Sequence, residues 1–346
     1  MAGRCPAVTQ LAPREMTMNR RDWLARVLPA GGMSILAGAL PAWAQTSPTW
    51  PTQPLRMIVP GGAGSGTDLM ARLFADPLSK ALGQPVIVDN RPGANGLIGN
   101  DLAAKAAPDG TTILFSNASA VSVNAALRRT LPYDTLKDLT PVIQVSAGGV
   151  LLVAAAGVPV RDFGGFLDYV RANPDIAYGT WGVGSTGHLT METIAHDSRL
   201  RMRHIPYKTM GQLLTDLQGG VVKLAFVDAR SPVALIQSGR LVPVAMSGTH
   251  RAPQLPNVKT LKEQGFSFDL DGWYGFFMPP RTPPDIVSRL NREIARIMQA
   301  PALQSAFAQQ GLLWSAPNSP EQFSQVIRND IRAWKEVVAK AGITPE

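Results

Sequence analysis

The sequence predicts an α/β protein of two doubly wound lobes facing each other across a cleft. Three observations carry that expectation. The 346 residues, 45 % of them apolar with 32 Gly and 29 Pro, exceed what one ordinary core uses. Apolar runs alternate with amphipathic stretches in a β–α–β–α–β rhythm, the pattern of largely parallel sheets covered by helices. A strand, a glycine loop and a helix start then occur together twice, at Arg56-Met-Ile-Val-Pro-Gly-Gly-Ala-Gly-Ser-Gly-Thr-Asp68 and at Tyr178-Gly-Thr-Trp-Gly-Val-Gly-Ser-Thr-Gly-His188. Such a unit points free backbone N–H groups outward at the positive end of a helix dipole, which makes an anion site. Two of them suggest an anionic ligand held between two lobes.

In chain order, Leu55 to Pro60 reads as a strand and Asp68 to Leu82 as a helix, with Leu69, Leu73, Leu78 and Leu82 near one face and Gly83 ending it. Val86 to Asp89 is a strand, a short Ala-rich helix runs to Ala107, and Pro108-Asp-Gly110 turns into the strand Thr111 to Phe115. Val150 to Ala156 is an apolar run where the chain is expected to cross to the second lobe. There the helix Asp162 to Ala172, the strand Ile176 to Thr180 and the helix His188 to Ser198 follow. A strand His204 to Pro206, a helix Gly211 to Gln218 and strands Val222 to Val227 and Leu241 to Ser247 complete it. Trp273 to Met278 is the expected return. The C-terminal part is helical, with Ile286, Leu290, Ile294 and Ile297 at helical spacing and a capping box at Ser319-Pro-Glu-Gln322. Lobe 1 is thus expected over residues 55–149 and 275–346, and lobe 2 over 150–274.

The first 44 residues stand outside this pattern. Met18-Asn-Arg-Arg-Asp-Trp-Leu-Ala-Arg26 is a basic n-region, Val27 to Leu40 a weakly apolar h-region, and Ala42-Trp43-Ala44 an A-x-A cleavage site. These predict a signal peptide cut after Ala44, a flexible leader over 45–54 and a periplasmic protein exported by the Sec route or, through Arg20-Arg21, by a twin-arginine route. Met1, Met16 and Met18 are alternative starts. The apolar run is too short to span a bilayer. The only cysteine, Cys5, falls in this segment, so the mature chain has no disulfide, thiol nucleophile or thiolate ligand. Of the net charge of +8, five Arg and two acids in the first 44 residues supply +3. The remaining +5 is mild and lacks the interleaved aromatics of a nucleic-acid surface.

Much chemistry is missing. The first glycine loop has no Lys after Gly66, so it is not a Walker A loop, and its spacing fails the dinucleotide fingerprint at Thr67 and Leu69. Ala63 and Val183 stand where a Ser nucleophile elbow needs Gly. His188, His196, His204 and His250 show no metal-ligand spacing. No catalytic residue, metal or cofactor is therefore expected. What remains is neutral. Ser65, Thr67, Ser116, Asn117, Ser119, Thr180, Ser185 and Thr186 fall at predicted strand ends or helix starts. In a doubly wound sheet those ends form the ligand crevice. Each hydroxyl alone is equally well read as an N-cap.

A resemblance can be named here. Asp89-Asn-Arg-Pro-Gly-Ala-Asn-Gly-Leu-Ile-Gly99, followed by Ala103-Ala-Lys-Ala-Ala-Pro-Asp-Gly-Thr-Thr112, resembles the signature of the Bug family, the periplasmic receptors of tripartite tricarboxylate transporters. Leu131-Pro-Tyr-Asp134, His204-Ile-Pro-Tyr-Lys208, Asp216-Leu-Gln-Gly-Gly220 and Trp273-Tyr-Gly-Phe276 match as well. The resemblance implies a type II periplasmic binding protein fold, with crossing strands joining the lobes. It implies a non-enzymatic, monomeric receptor for a small carboxylate (a di- or tricarboxylate, an amino acid or an aromatic acid) that serves membrane permease subunits. A sensory protein feeding a sensor kinase and an exported organic-acid enzyme are the alternatives. Carried onto this chain, the ligand-binding residues are Gly64, Ser65, Gly66 and Thr67 in one loop and Thr180, Gly184, Ser185 and Thr186 in the other. Ser116, Asn117 and Ser119 close the side, Asp228 is a candidate for a ligand amine or hydroxyl, and Trp181 and His188 are secondary candidates. Gly61-Gly62-Ala63 stand where many relatives carry Phe-Pro-Pro or Phe-Pro-Ala, so the first loop departs from the family most.

Overall fold

The computed structural model describes residues 50–309 and 313–343, all within one compact unit. The expected signal peptide, its cleavage site and Cys5 lie outside those residues. Trp50, expected within a loose leader, is held down: its indole N–H donates to the Gly110 carbonyl at 3.1 Å and packs against the first core.

β1 (Leu55–Val59) runs into the glycine loop and α1 (Gly66–Leu82). β2 (Val86–Asn90), α2 (Leu97–Ala104), β3 (Thr112–Asn117), a π-helical turn at Ser119–Val123, α3 (Asn124–Leu127) and β4 (Thr140–Gly148) follow. β5 (Val150–Ala155), α4 (Phe163–Ala172), β6 (Ile176–Thr180), α5 (Thr186–Asp197), β7 (Met202–Pro206), α6 (Met210–Gln218), β8 (Leu224–Asp228), α7 (Val233–Gln237) and β9 (Leu241–Met246) come next. The chain ends with β10 (Gly272–Met278), α8 (Pro284–Met298), α9 (Pro301–Gln309) and α10 (Pro320–Lys340).

The strands form two five-stranded sheets, in the orders β2-β1-β3-β10-β4 and β7-β6-β8-β5-β9. This is a two-lobed α/β fold. Each sheet is mixed rather than largely parallel. β1 is parallel to β2 and β3, but β10 is antiparallel to β3 and β4. β6 is parallel to β7 and β8, but β5 is antiparallel to β8 and β9. The reversals have a simple cause. A parallel neighbour needs a crossover connection, usually a helix; β5 follows β4 directly, and β10 enters the first sheet from the second, so neither is the second strand of a β–α–β unit. β4 passes to β5 through Gly149 alone, so Val150–Ala155 lies inside the second sheet. β10 pairs with the first sheet along its whole length, so the chain has returned before Gly272, ahead of the expected boundary at 275.

α1 shows how local sequence sets these elements. Ser65, in extended backbone, caps the helix by accepting the Asp68 N–H, and Gly83 ends it at φ +71°. Its buried face runs through Met70, Phe74, Leu78 and Leu82; Leu69 and Leu73, expected there, are only half-buried. Phe74 sets its ring edge against Phe276 of β10 at 5.2 Å between centroids. α10 belongs to both lobes: Phe323, Ile327 and Ile331 join the core beneath the first sheet, whereas Trp334 and Val338 join a core of the second. Among the described residues no helix is long and apolar enough to cross a membrane.

Candidate functional site

The two glycine loops and the β8 end meet at a cavity of about 1020 Å³ between the sheets. The first loop is held rigid from below. Asp68 is 2 % exposed, and its carboxylate accepts the Gly64 N–H at 2.8 Å, the Asn90 side-chain N–H at 3.0 Å and the Arg72 guanidinium at 3.0 Å. Burial opposes its ionisation, yet these partners outweigh it and hold the carboxyl below its ordinary range. The Ser65 N–H turns back to the Gly62 carbonyl, and the Asp68 N–H is taken by the Ser65 hydroxyl. The N–H groups of Gly66 and Thr67, first in α1, bond to no acceptor among the described residues. They are the open donors of a helix N-terminus, where the dipole favours an anion.

Around these donors the contacts are close. A methyl group on Gly66 would meet the Tyr274 hydroxyl at 2.9 Å and the Asp228 carboxylate carbon at 3.4 Å. A side chain on Gly66 would thus crowd residues of both lobes, Tyr274 and Asp228. The Thr67 hydroxyl accepts the Asn117 side-chain N–H at 2.9 Å. Asp228 lies at the end of β8; its oxygens accept the Arg230 and Ser231 N–H groups and the Ser231 hydroxyl.

The second loop is spent on itself. Ser185 caps α5 by accepting the His188 N–H, and the Gly184 N–H donates to His188 Nδ1 at 3.1 Å. The Thr180 hydroxyl engages His204 Nε2 at 2.7 Å. His204 stacks on His188 at 4.0 Å between centroids. Burial first, and the neighbouring His188 second, push the His204 pKa down from 6.5 to about 3, so it is neutral. Tyr178 donates to Glu192 at 2.5 Å in the same cluster, and its hydroxyl is driven far above its ordinary range by burial and that carboxylate.

The sequence-derived residues thus divide. Gly64, Ser65, Gly66, Thr67, Asn117 and Ser119 line the cavity from the first lobe. Trp181, Thr186 and Asp228 line it from the second. Ser116, Thr180, Gly184, Ser185 and His188 do not line it. Ser116 is wholly buried and donates to Asn100; the other four form the hydrogen-bonded support under the second loop. Four residues went unforeseen. Asn95 donates to the Gly184 carbonyl at 2.8 Å and joins the lobes. Tyr274, Arg230 and Lys208 line the cavity. Asn95 and Tyr274 stand inside motifs that carried the family resemblance, which was the available signal; Arg230 had none. Among the described residues the charged side chains of the lining are Arg128, Lys208, Arg230 and Asp228. Among the described residues no group of three His, Cys, Asp or Glu is placed to hold a metal.

Comparison with known proteins fixes the family. Residues 70–343 match the family model described as "Tripartite tricarboxylate transporter family receptor". The chain belongs to that family. It is 34 % identical to protein BugT of Bordetella pertussis over 322 residues, covering 92 % of this chain and 98 % of that protein. Among solved structures it resembles an adipate-bound protein of R. palustris (30 % identity, TM-score 0.82), covering 86 % of this chain and all of that one. It also resembles MatC of Rhodopseudomonas palustris with bound malate (28 % identity, TM-score 0.78), covering 83 % of this chain and 99 % of that one. As a tripartite tricarboxylate transporter family receptor, the chain is a solute-binding protein, and its relatives are binding proteins rather than enzymes.

Proposed function

We propose that this receptor captures a small carboxylate between its lobes and presents it to permease subunits in the membrane, working in the periplasm as a monomer after removal of residues 1–44. One observation carries the reading. Among the described residues the Gly66 and Thr67 N–H groups have no acceptor at the start of α1, and both residues line the cavity. Two adjacent donors at a helix N-terminus suit the two oxygens of a carboxylate. The adipate and malate held by two relatives support the same ligand class. The receptor's relatives are solute-binding proteins, which supports binding without turnover.

A thermal-shift screen of the mature protein against carboxylates, sugars and cations tests this. A binding acid raises the melting temperature with concentration, because ligand that binds only the folded state stabilises it by mass action. A shift with sugars or cations and none with any acid overturns the ligand class. Turnover of a bound acid by the purified protein overturns the non-enzymatic reading.

A further inference from the structure

Arg230 stands in the turn between β8 and α7 and lines the cavity. Its nearest formal counter-charge is Asp228, but the two form no ion pair. The Asp228 oxygens are already taken by the Arg230 backbone N–H and by Ser231, through both its N–H and its hydroxyl. One terminal nitrogen of the guanidinium, Nη1, is sealed from solvent and has no acceptor. No carboxylate among the described residues lies within ion-pair distance of Arg230. Burial accordingly makes its charged form costlier than usual, even with Asp228 and Tyr274 nearby. A desolvated cation without a partner is expensive to keep. It is worth keeping where an incoming anion supplies the partner.

The carboxylate proposed at α1 does not need this arginine, because Gly66 and Thr67 donate to it from the opposite lobe. The cavity, at about 1020 Å³, has room for a molecule that reaches from one to the other. We propose that Arg230 is a specificity-determining residue: it pairs with a second acidic group of the solute, so the receptor selects a diacid over a monoacid of the same length. This rests on the carboxylate reading of the α1 site and adds the chemistry of the solute's other end. A planar fork of donors suits a second carboxylate. Recruitment of that group by a residue of the second lobe also ties closure to ligand charge, since each end of the solute is held by a different lobe.

The experiment uses the mature protein and Arg230→Gln, with binding measured by calorimetry. The probes are the linear α,ω-diacids of four to eight carbons, their monomethyl esters and the matching monocarboxylates. The wild type is expected to prefer its best diacid over the monoester by roughly 10- to 100-fold, the range of a hydrogen bond to a charged group. Arg230→Gln is expected to lose that preference while binding the monoester as the wild type does. An unchanged melting temperature of the ligand-free variant shows that the fold is intact, and Arg230→Lys is expected to recover part of the preference. Equal weakening of diacid and monoester in Arg230→Gln would place the arginine on the first carboxylate and overturn the inference. Unchanged binding of both would overturn it too. Wild-type protein that binds monoacids and no diacid overturns this inference alone. Wild-type protein that binds neither refutes the carboxylate reading beneath it.

Discussion

The Asn95 side-chain N–H donates to the Gly184 carbonyl at 2.8 Å, bonding the first lobe directly to the second glycine loop. Asn95 sits at φ +52°, the left-handed region that Asn and Gly accept most readily. Its own side-chain oxygen accepts the Ser119 hydroxyl, and that hydroxyl accepts the Thr186 N–H. The contact is therefore a short polar chain from one lobe to the other, made only while the lobes are together. Closure selected by a ligand draws on contacts of this kind.

Asn95→Gly removes the Asn95 links of this chain, leaving the Thr186–Ser119 bond, while keeping the backbone conformation. One hydrogen bond is worth about 0.5–1.5 kcal/mol net, so ligand affinity is expected to fall by roughly 2- to 10-fold. Calorimetric titration with whichever acid binds the wild type measures it. Unchanged affinity would mean that Asn95 does not contribute to the bound state.

Thr67 has a structural duty as well as a place at the anion site. Its hydroxyl is the acceptor for Asn117, and Thr67 is 6 % exposed. Thr67→Val takes the acceptor from the half-buried Asn117 amide, which costs about 1 kcal/mol, the net worth of one hydrogen bond. Urea unfolding is expected to show that loss in Thr67→Val and little of it in Thr67→Ser, which keeps the acceptor. Equal stability of the valine variant and the wild type would contradict the assignment.

His204 makes stability depend on pH. Its pKa falls from 6.5 to about 3 in the folded protein. Between those values the unfolded chain takes up a proton that the folded protein refuses. Stability therefore falls as pH drops from about 6.5 towards 3, by up to about 1.4 kcal/mol per pH unit from this group. His188 stacks on the same ring, and Glu192 stands 3.9 Å from His188. Urea midpoints at pH 7, 5.5 and 4.5 are expected to fall less steeply in His204→Gln than in the wild type. Parallel decline in both proteins would mean that another group carries the acid sensitivity.

A side chain at Gly66 meets both lobes. A methyl group would meet the Tyr274 hydroxyl at 2.9 Å and crowd the Asp228 carboxylate. Gly66→Ala pushes the lobes apart just where the ligand donors stand. Its affinity is expected to drop by at least about tenfold, the loss of one good charged hydrogen bond, with less effect on stability. Calorimetry and unfolding on the same sample separate the two. Wild-type affinity in the alanine variant would place the anion elsewhere.

Much of this was legible in the sequence, for reasons that differ by element. Ser65 and Gly83 announce α1 because capping chemistry is local. The two glycine loops announce themselves because few other residues allow such turns. The reversal of β5 and β10 was not legible, since strand direction depends on how the chain enters a sheet and not on the apolar run itself. The hydroxyls of Ser116, Thr180 and Ser185 looked like ligand contacts because they sit at strand ends or helix starts. The structure places them under the loops, bonded to Asn100, His204 and the α5 backbone. One sequence position cannot say whether a strand-end hydroxyl faces the cleft or its support. Arg230 follows no motif, and its importance rests on partners it lacks.

Whether a carboxylate sits on the open start of α1 is read from the structure of the protein with a bound acid. Carboxylate oxygens are expected within about 2.7–3.2 Å of the Gly66 and Thr67 nitrogens, directly or through one water. An acid bound elsewhere in the cavity, with those two N–H groups still unbonded, would contradict it.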